Sequence, residues 1–222
     1  MNKIEREEML KEKLLAMLSY ENALFDKGLH FIGGVDEVGR GPLAGPVAAA
    51  CVVLPAGFSV IGIDDSKKLS AKRRKEMFAV IVSEALAYGV GMVSPQVIDE
   101  VNILNATKMA MADAVRAADG MLAERTAPEE KRIEHLLVDG VALPEASIHG
   151  TAITKGDTKS VSIAAASIVA KVVRDRLMDE LDSIYPGYAF ARNKGYGTEL
   201  HYAGLRKLGP SPVHRKTFLK NF

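Results

Sequence analysis

The pattern of apolar and polar positions predicts helices and strands that alternate along most of the chain. Residues 2–26 carry apolar side chains at helical spacing and predict an amphipathic N-terminal helix. The short apolar runs 31–38 and 47–54 predict two strands, and Ser70 is placed to cap a helix that continues to about residue 88. The later pattern predicts a strand over 88–93, helix over 95–118 with a break near 102–105, strands over 135–138 and 148–154, and helices over 158–183 and 198–208.

Five predicted strands interleaved with helices indicate an α/β fold, in which helices cover a mixed sheet. Residues 119–134 are charged and polar and are expected to form a connection without regular structure. The chain has 222 residues, a length that favours one domain with a small addition. We therefore expect a helical extension over residues 1–30 and a single domain over residues 31–222.

Composition excludes several classes of protein. With 48% hydrophobic residues and a net charge of +1, the chain is not disordered. The single cysteine, Cys51, excludes a disulfide scaffold, a zinc finger and an iron–sulfur site, and it suits a reducing compartment, so we expect a cytoplasmic protein. The N-terminus is charged rather than apolar, and prolines interrupt the uncharged run 41–63, so neither a signal peptide nor a membrane span is expected.

The charge is unevenly distributed along the chain. Six of the nine residues from Lys67 to Lys75 are basic, and residues 192–222 contain seven Lys or Arg side chains and one acid. Two basic clusters on a nearly neutral protein suggest that it binds a polyanion. A solvated helix face is the alternative, and for Arg73–Lys75 it is the favoured one.

Four acidic residues stand where strands or helices end or begin. Asp36 and Glu37 end the first predicted strand, Asp139 ends the fourth, and Asp157 precedes the long helix. Oxygen ligands of this kind suit Mg²⁺ or Mn²⁺, and two such ions about 3.5–4 Å apart would hold the attacking and leaving oxygens of a phosphodiester. Each acid also has a structural interpretation. Asp139 could be a turn residue and Asp157 a helix cap, and on a regular strand Asp36 and Glu37 would point to opposite faces of the sheet.

The segment from Val35 to Val47, VDEVGRGPLAGPV, adds a second kind of signal. Gly39 and Gly41 flank Arg40, so backbone amides can approach a ligand closely beside a guanidinium group. Backbone N–H groups next to an RNA sugar could detect the 2′-hydroxyl that distinguishes RNA from DNA. By itself the Gly-Arg-Gly sequence favours a plain turn.

This segment resembles the signature of bacterial ribonuclease HII, the type 2 ribonuclease H, with Val38 in place of the usual alanine. The resemblance covers roughly residues 31–218 in family order. The further similar blocks are DSKKLS (65–70), NILNAT (102–107), VDG (138–140), KGD (155–157), SIAAASIVAKVVRD (162–175), KGYGT (194–198) and GPSPVHRKTF (209–218).

The resemblance implies a ribonuclease H-like fold, a five-stranded mixed sheet flanked by helices with a C-terminal helical extension. It implies hydrolysis of the RNA strand of RNA–DNA hybrids and cleavage of duplex DNA 5′ to a single ribonucleotide, which leaves 3′-hydroxyl and 5′-phosphate ends. The implied cofactor is Mg²⁺ or Mn²⁺. The implied catalytic and metal-binding residues are Asp36, Glu37, Asp139 and Asp157.

The resemblance also implies a substrate-binding set. Gly39, Arg40 and Gly41 would sense the 2′-hydroxyl, and Tyr196 would pack on the next sugar and select a deoxyribose. Lys67 and Lys194 are expected to hold phosphates without reading base sequence. We expect a monomer that does not bind a membrane. The sequence does not identify its protein partners.

Three alternatives remain at this point. Ribonuclease HIII shares the fold, but it typically has Gly-Lys-Gly at residues 39–41 and a large N-terminal domain, for which the 35 residues before Asp36 leave no room. A nucleic-acid-binding module without catalysis would have little reason to keep four acids beside phosphates. A structural or partner-binding protein would tolerate loss of Asp36. Among the histidines, His135, His149 and His214 are expected to be structural, and His30 and His201 to lie at the surface.

Overall fold

The fold is built on a mixed β-sheet, seen here in a computed structural model that describes residues 2–143 and 146–220. Residue 1 of the expected extension and residues 144, 145, 221 and 222 of the expected domain lie outside these ranges. The described residues form a sheet of five strands in the order β3-β2-β1-β4-β5, antiparallel from β3 to β1 and parallel from β1 to β5. The strands are β1 (Ile32–Val38), β2 (Val47–Val53), β3 (Ala87–Val93), β4 (His135–Asp139) and β5 (Gly150–Ile153).

Helices cover the sheet and extend the chain at both ends. The prediction of an α/β fold with a five-stranded mixed sheet is confirmed. The helices are α1 (Lys3–Met17), α2 (Ser19–Phe25), α3 (Ala71–Glu84), α4 (Pro95–Arg125), α5 (Val161–Ile184), α6 (Phe190–Asn193) and α7 (Glu199–Leu208), with 3₁₀ turns over Gly156–Thr158 and Lys216–Leu219.

Four details differ from the sequence prediction. Helix α3 ends at Glu84 rather than near residue 88, and β3 begins at Ala87. The single N-terminal helix is wrong, because the chain forms two helices that meet at Leu18. Helix α4 continues to Arg125, so the irregular connection is shorter than predicted. The short helix α6 was not predicted. The predicted break in α4 is confirmed at Asn102, which has a positive φ of 68°.

Strand β2 divides the core into two layers. It is buried along its whole length, and its side chains alternate between the two faces of the sheet. On one face Val47, Cys51 and Val53 pack in the cluster that contains α4. On the other face Ala50 and Val52 pack in the cluster that contains α3 and α5. Both sheet faces are thus covered, and burial raises the pKa of the Cys51 thiol, which keeps it unreactive.

A close helix–strand contact fixes the start of α5 against the centre of the sheet. A Cβ atom at Gly34 would lie 2.1 Å from the backbone carbon of Ser162, so only glycine allows this approach. Ser160 caps the helix, its side chain accepting a hydrogen bond from the Ile163 N–H. The N-terminus of α5 therefore lies directly on β1, close to the acidic end of that strand.

The N-terminal helices pack on the same layer. Leu14 and Met17 are buried in the cluster of α3 and α5. Glu21 is also buried, and its Oε1 accepts hydrogen bonds from Ser160 and Ser162 at the start of α5. In the described ranges, none of the helices has the length and apolar character needed to cross a membrane.

Candidate active site

Two of the four predicted acids come from neighbouring parallel strands. Strand β1 pairs with β4 in register, with Val35 opposite Val138. Asp36 and Asp139 are the next residues on each strand, so parallel pairing places them side by side. The local sequence explains the arrangement, because each acid follows a run of buried apolar residues that fixes the strand in the core.

The third acid, Asp157, approaches from the 3₁₀ turn before α5. This turn is held to β4 because the Gly156 N–H donates a hydrogen bond of 2.6 Å to Asp139 Oδ1. One carboxylate oxygen from each of Asp36, Asp139 and Asp157 lies within 4.8 Å of the other two. The predicted convergence of these three acids thus has a geometric basis in the structure.

This donor set fits a hard divalent cation. All three donors are carboxylate oxygens, the ligands that Mg²⁺ and Mn²⁺ prefer, and no nitrogen or sulfur ligand takes part in this cluster. Burial, followed by the charges of Glu37 and Asp139, raises the pKa of Asp36 well above its usual value. Burial and the charges of Asp139 and Asp65 raise the pKa of Asp157. A bound cation would relieve this mutual repulsion.

Glu37 lies outside this cluster of three acids. Strand β1 continues to Val38, so Glu37 alternates away from Asp36, as the period of a strand requires. Its Oε1 lies 3.4 Å from Nη1 of Arg40. Burial raises the pKa of Glu37, Arg40 opposes the rise, and the charge of Asp139 adds to it. Glu37 is therefore close enough to Asp139 for that charge to raise its pKa, but its carboxylate pairs with Arg40.

Lys67 brings a positive charge to the rim of the acidic cluster. Its Nζ lies 4.0 Å from Asp157 Oδ2, and its side chain is 79% exposed. Burial lowers the pKa of Lys67, but the charges of nearby acids, led by Asp65 and Asp36, raise it overall. Asp65 itself accepts a hydrogen bond from the Lys67 N–H and is buried. The position of Asp65 beside the site was not predicted from the sequence.

The glycine-rich loop between β1 and β2 lies against the segment that contains Tyr196. Gly39 has a φ of +87°, which favours glycine, and residues 40 and 41 are exposed. A Cβ atom at Gly41 would lie 3.6 Å from Cε1 of Tyr196, so the tyrosine ring borders the loop. Tyr196 is 45% exposed and therefore available to a ligand. The structure thus brings four of the predicted substrate-binding residues together.

Lys194 is placed differently from Lys67. Its ammonium group pairs with Asp179 and lies 3.4 Å from the carbonyl oxygen of Asp175, both on α5. A phosphate at this position would have to compete with Asp179. The predicted phosphate contact of Lys194 therefore stays a prediction.

Sequence reasoning missed two arginines that lie behind the loop. Arg174 and Arg215 are 0% exposed. Arg174 donates to the carbonyl oxygens of Ala44, Pro46 and Lys194. Because their partners lie between 20 and 176 residues away in sequence, no local pattern could have identified them.

The expectation that His201 lies at the surface is wrong. His201 is fully buried, and its Nε2 lies 2.9 Å from Nε2 of His214. The Tyr196 carbonyl can only accept, so His201 Nδ1 donates to it and Nε2 accepts from His214. His214 Nδ1 then accepts from Ser211. Burial lowers the pKa of both rings, that of His214 to about 4, so both are neutral supports of the tyrosine segment, which fits the structural role expected for His214.

Comparison with known proteins supports the same assignment. The sequence profile of the family described as Ribonuclease HII matches residues 33–221. A Ribonuclease HII of Caldanaerobacter subterraneus subsp. tengcongensis is 49% identical over 209 residues, 94% of this chain and 82% of that protein. A Ribonuclease HII of Bacillus anthracis is 52% identical over 208 residues, 94% of this chain and 76% of the relative.

A solved structure extends the likeness to three dimensions. The ribonuclease H2 from Pyrococcus horikoshii OT3 superimposes with a TM-score of 0.66 at 25% identity, covering 86% of this chain and 100% of that one. The chain belongs to the ribonuclease HII family and is accordingly a hydrolase of the ribonuclease H class.

Proposed function

We propose that this protein hydrolyses the RNA strand of RNA–DNA hybrids and cuts duplex DNA on the 5′ side of a single embedded ribonucleotide. The products would carry 3′-hydroxyl and 5′-phosphate ends, and the role in the cell would be ribonucleotide removal and DNA repair. The observation that carries the proposal is the juxtaposition of the acidic cluster with a glycine loop and an exposed tyrosine.

The acidic cluster would form the catalytic centre. Asp36, Asp139 and Asp157 would hold the metal, and Glu37 would complete the set once substrate or cation draws it from Arg40. A pair of Mg²⁺ or Mn²⁺ ions bound there would supply an activated water and neutralise charge on the departing 3′-oxygen. The Gly156 N–H holds Asp139 Oδ1 in place, so the protein orients this ligand before anything binds.

The glycine loop and Tyr196 would supply the selection for a ribonucleotide. Exposed backbone at residues 40 and 41 can bring N–H groups to a 2′-hydroxyl, and glycine at 39 and 41 leaves room for the sugar. The Tyr196 ring borders this loop, where a neighbouring sugar lacking a 2′-hydroxyl could pack on it. Arg40 and Lys67 would contact phosphates on either side.

The domain assignment belongs to the same proposal. Residues 31–222 would act as the catalytic domain, and residues 1–30 would support it from outside through the contacts of Leu14, Met17 and Glu21. We propose that the enzyme works as a monomer, because all the residues assigned a role lie on one chain.

The decisive experiment uses duplex DNA with one embedded ribonucleotide and a label at the 5′ end of that strand. The protein is incubated with it in Mg²⁺, in Mn²⁺ and in EDTA, and Asp139→Asn is the site variant. Asp113→Asn is the matched control, since Asp113 pairs with Arg116 on the surface of α4. We expect a single cut 5′ to the ribonucleotide, present in the control and lost in EDTA and in Asp139→Asn.

Two other outcomes would each contradict part of the proposal. Cleavage of long hybrids alone would remove the assigned roles of the glycine loop and Tyr196 while leaving the metal site intact. Binding of the duplex by a folded protein without cleavage in either metal would favour a nucleic-acid-binding module instead.

A further inference from the structure

Two guanidinium groups are buried behind the glycine loop, and neither pairs with a carboxylate of the described residues. Arg174 and Arg215 are both fully buried, and every hydrogen bond that their guanidinium nitrogens donate within the described residues ends on a backbone carbonyl oxygen. Burial and the nearby charge of Arg174 lower the pKa of Arg215 to about 9. Placing a charge here costs stability, so these residues are poorly explained as stabilising elements of the core.

Arg215 donates hydrogen bonds to three carbonyl groups of the glycine loop. Its Nη2 donates to the Gly39 oxygen at 2.6 Å, and its Nη1 donates to the Arg40 oxygen at 2.9 Å. The Nε and Nη2 atoms also bind the Gly45 oxygen, at 3.0 and 2.9 Å. One planar guanidinium group therefore binds the loop near its start, at Gly39 and Arg40, and near its end, at Gly45.

These contacts determine where the loop amides point. In a trans peptide group the C=O and the following N–H point in opposite directions. Because the carbonyls of Gly39 and Arg40 point inward to Arg215, the N–H groups of Arg40 and Gly41 point outward. Both residues are exposed, and the described residues provide neither N–H with an acceptor. Gly41 borders Tyr196, so the outward amides face the region assigned to the substrate sugar.

Arg174 also supports the loop. It binds the carbonyls of Ala44 and Pro46 at the end of the loop and that of Lys194 before Tyr196. A Cβ atom at Gly39 would lie 2.2 Å from its Nε, so Arg174 also fills the space beside the first loop glycine. Arg174 thus links the glycine loop to the segment that contains Tyr196, and both arginines bind the loop through its backbone carbonyl groups.

We propose that Arg215 is a positioning residue for ribonucleotide selection, which turns the Arg40 and Gly41 amides outward as donors to a 2′-hydroxyl. Arg174 fixes the distance between these amides and Tyr196. The inference rests on the proposed function, because it explains how the loop of that same site is oriented. It assigns the two arginines no contact with the substrate.

The test compares the affinity for two duplexes in Ca²⁺, with gels to verify that the duplexes stay uncut. One duplex contains a single ribonucleotide and the other is all DNA, and the measured quantity is the ratio of their dissociation constants. Arg215→Lys keeps a positive charge, but one ammonium group cannot reproduce the fork that spans residues 39, 40 and 45. Arg206→Lys is the matched control, since Arg206 is exposed on α7 and pairs with Glu199.

We expect Arg215→Lys to lower the preference for the ribonucleotide duplex by roughly fivefold to tenfold for each lost amide contact. Affinity for all-DNA duplex and Mn²⁺ binding measured by calorimetry should change little. An unfolded fraction weakens the apparent binding of both duplexes equally and cancels in the ratio, so poor folding cannot imitate the effect.

The remaining outcomes separate the two proposals. If the wild-type protein shows no preference for the ribonucleotide duplex, the proposed sensing of the 2′-hydroxyl fails. If the wild type shows the preference and Arg215→Lys retains it in full, the positioning role of Arg215 is overturned while the proposed function stands.

Discussion

At the scale of single residues, the site depends on positions where only one side chain fits. Gly39 combines a φ of +87° with the guanidinium of Arg174 at the place where a Cβ atom would lie. Arg174 cannot easily move away from an added Cβ atom, because it is itself buried and donates hydrogen bonds to three carbonyl groups. The loop backbone therefore has little freedom to accept another residue here.

We predict that Gly39→Ala lowers the free energy of unfolding by about 1–3 kcal/mol, because of strain at positive φ and the clash with Arg174. Cleavage at a single ribonucleotide should fall more strongly than stability alone explains. Urea denaturation and the 5′-labelled cleavage assay measure the two effects. Gly120→Ala is the matched control: Gly120 lies in α4 with open space at its Cβ, so alanine should be neutral or stabilise by about 0.5–1 kcal/mol. Equal behaviour of the two variants would contradict the prediction.

Residue identity could be predicted where the chemistry is local, and not where partners are distant. The acids at the ends of β1 and β4 follow buried runs and stand out in the sequence. Arg215 and His201 do not, since a basic residue in a basic C-terminal segment suggests the surface. Their burial follows from carbonyl and imidazole partners that only the folded chain brings to them.

At the scale of secondary-structure elements, the N-terminal helices support the turn that carries Asp157. Glu21 on α2 accepts three hydrogen bonds at the start of α5, from the Ser160 hydroxyl and from the N–H and hydroxyl of Ser162. Ser160 N–H in turn donates to the carbonyl of Gly156 in the 3₁₀ turn. A negative charge at a helix N-terminus is also favourable to the helix dipole. The extension is thus joined to the acidic cluster through α5.

We predict that Glu21→Ala lowers the free energy of unfolding by about 2–4 kcal/mol, because it leaves buried serine donors without an acceptor. It should also weaken Mn²⁺ binding, since the turn at Gly156–Thr158 loses support. Urea denaturation and calorimetric Mn²⁺ titration provide the measurements. Glu12→Ala, on the exposed side of α1, should change neither. An effect of Glu21→Ala no larger than that of Glu12→Ala would show that α2 only covers the surface.

The boundary of a helix could be predicted from the sequence where a side chain caps the helix. Asn102 interrupts α4, and its Oδ1 accepts from the N–H groups of Leu104 and Asn105, so the residue caps the second half of the helix. Leu18 separates α1 from α2 with helical φ and ψ and no side-chain cap, so the sequence contains no signal for that break. The sequence prediction ended α4 too early. The last turns of this helix are polar on their exposed side, although Leu122 and Ala123 are buried.

At the scale of the whole molecule, the nearly neutral net charge is the sum of local charges of opposite sign: an acidic centre and basic side chains near it. The net charge is +1, yet Lys67 lies beside three clustered carboxylates, and Arg40 pairs with the nearby Glu37. The basic clusters and the acids were visible in the sequence, but the sequence did not show which basic side chains are free to bind a phosphate. Arg74, for example, turns inward to the carbonyls of Ser66 and Leu69 rather than to solvent.

The two predicted phosphate ligands can be separated by the salt dependence of duplex binding. Each phosphate contact contributes about 0.9 to the slope of log K against log salt concentration, because it releases bound counterions. Lys67 is exposed, and the carboxylate it pairs with among the described residues, that of Asp157, lies 4.0 Å away. Lys67→Met should therefore lower the magnitude of this slope by about 0.9. Lys194 is already paired with Asp179, so Lys194→Met should leave the slope nearly unchanged. Fluorescence anisotropy with labelled duplex between 50 and 200 mM salt, roughly the range in which such slopes are resolved, would decide. A larger change for Lys194→Met than for Lys67→Met would mean that substrate displaces Asp179 and that the bound duplex extends along α5.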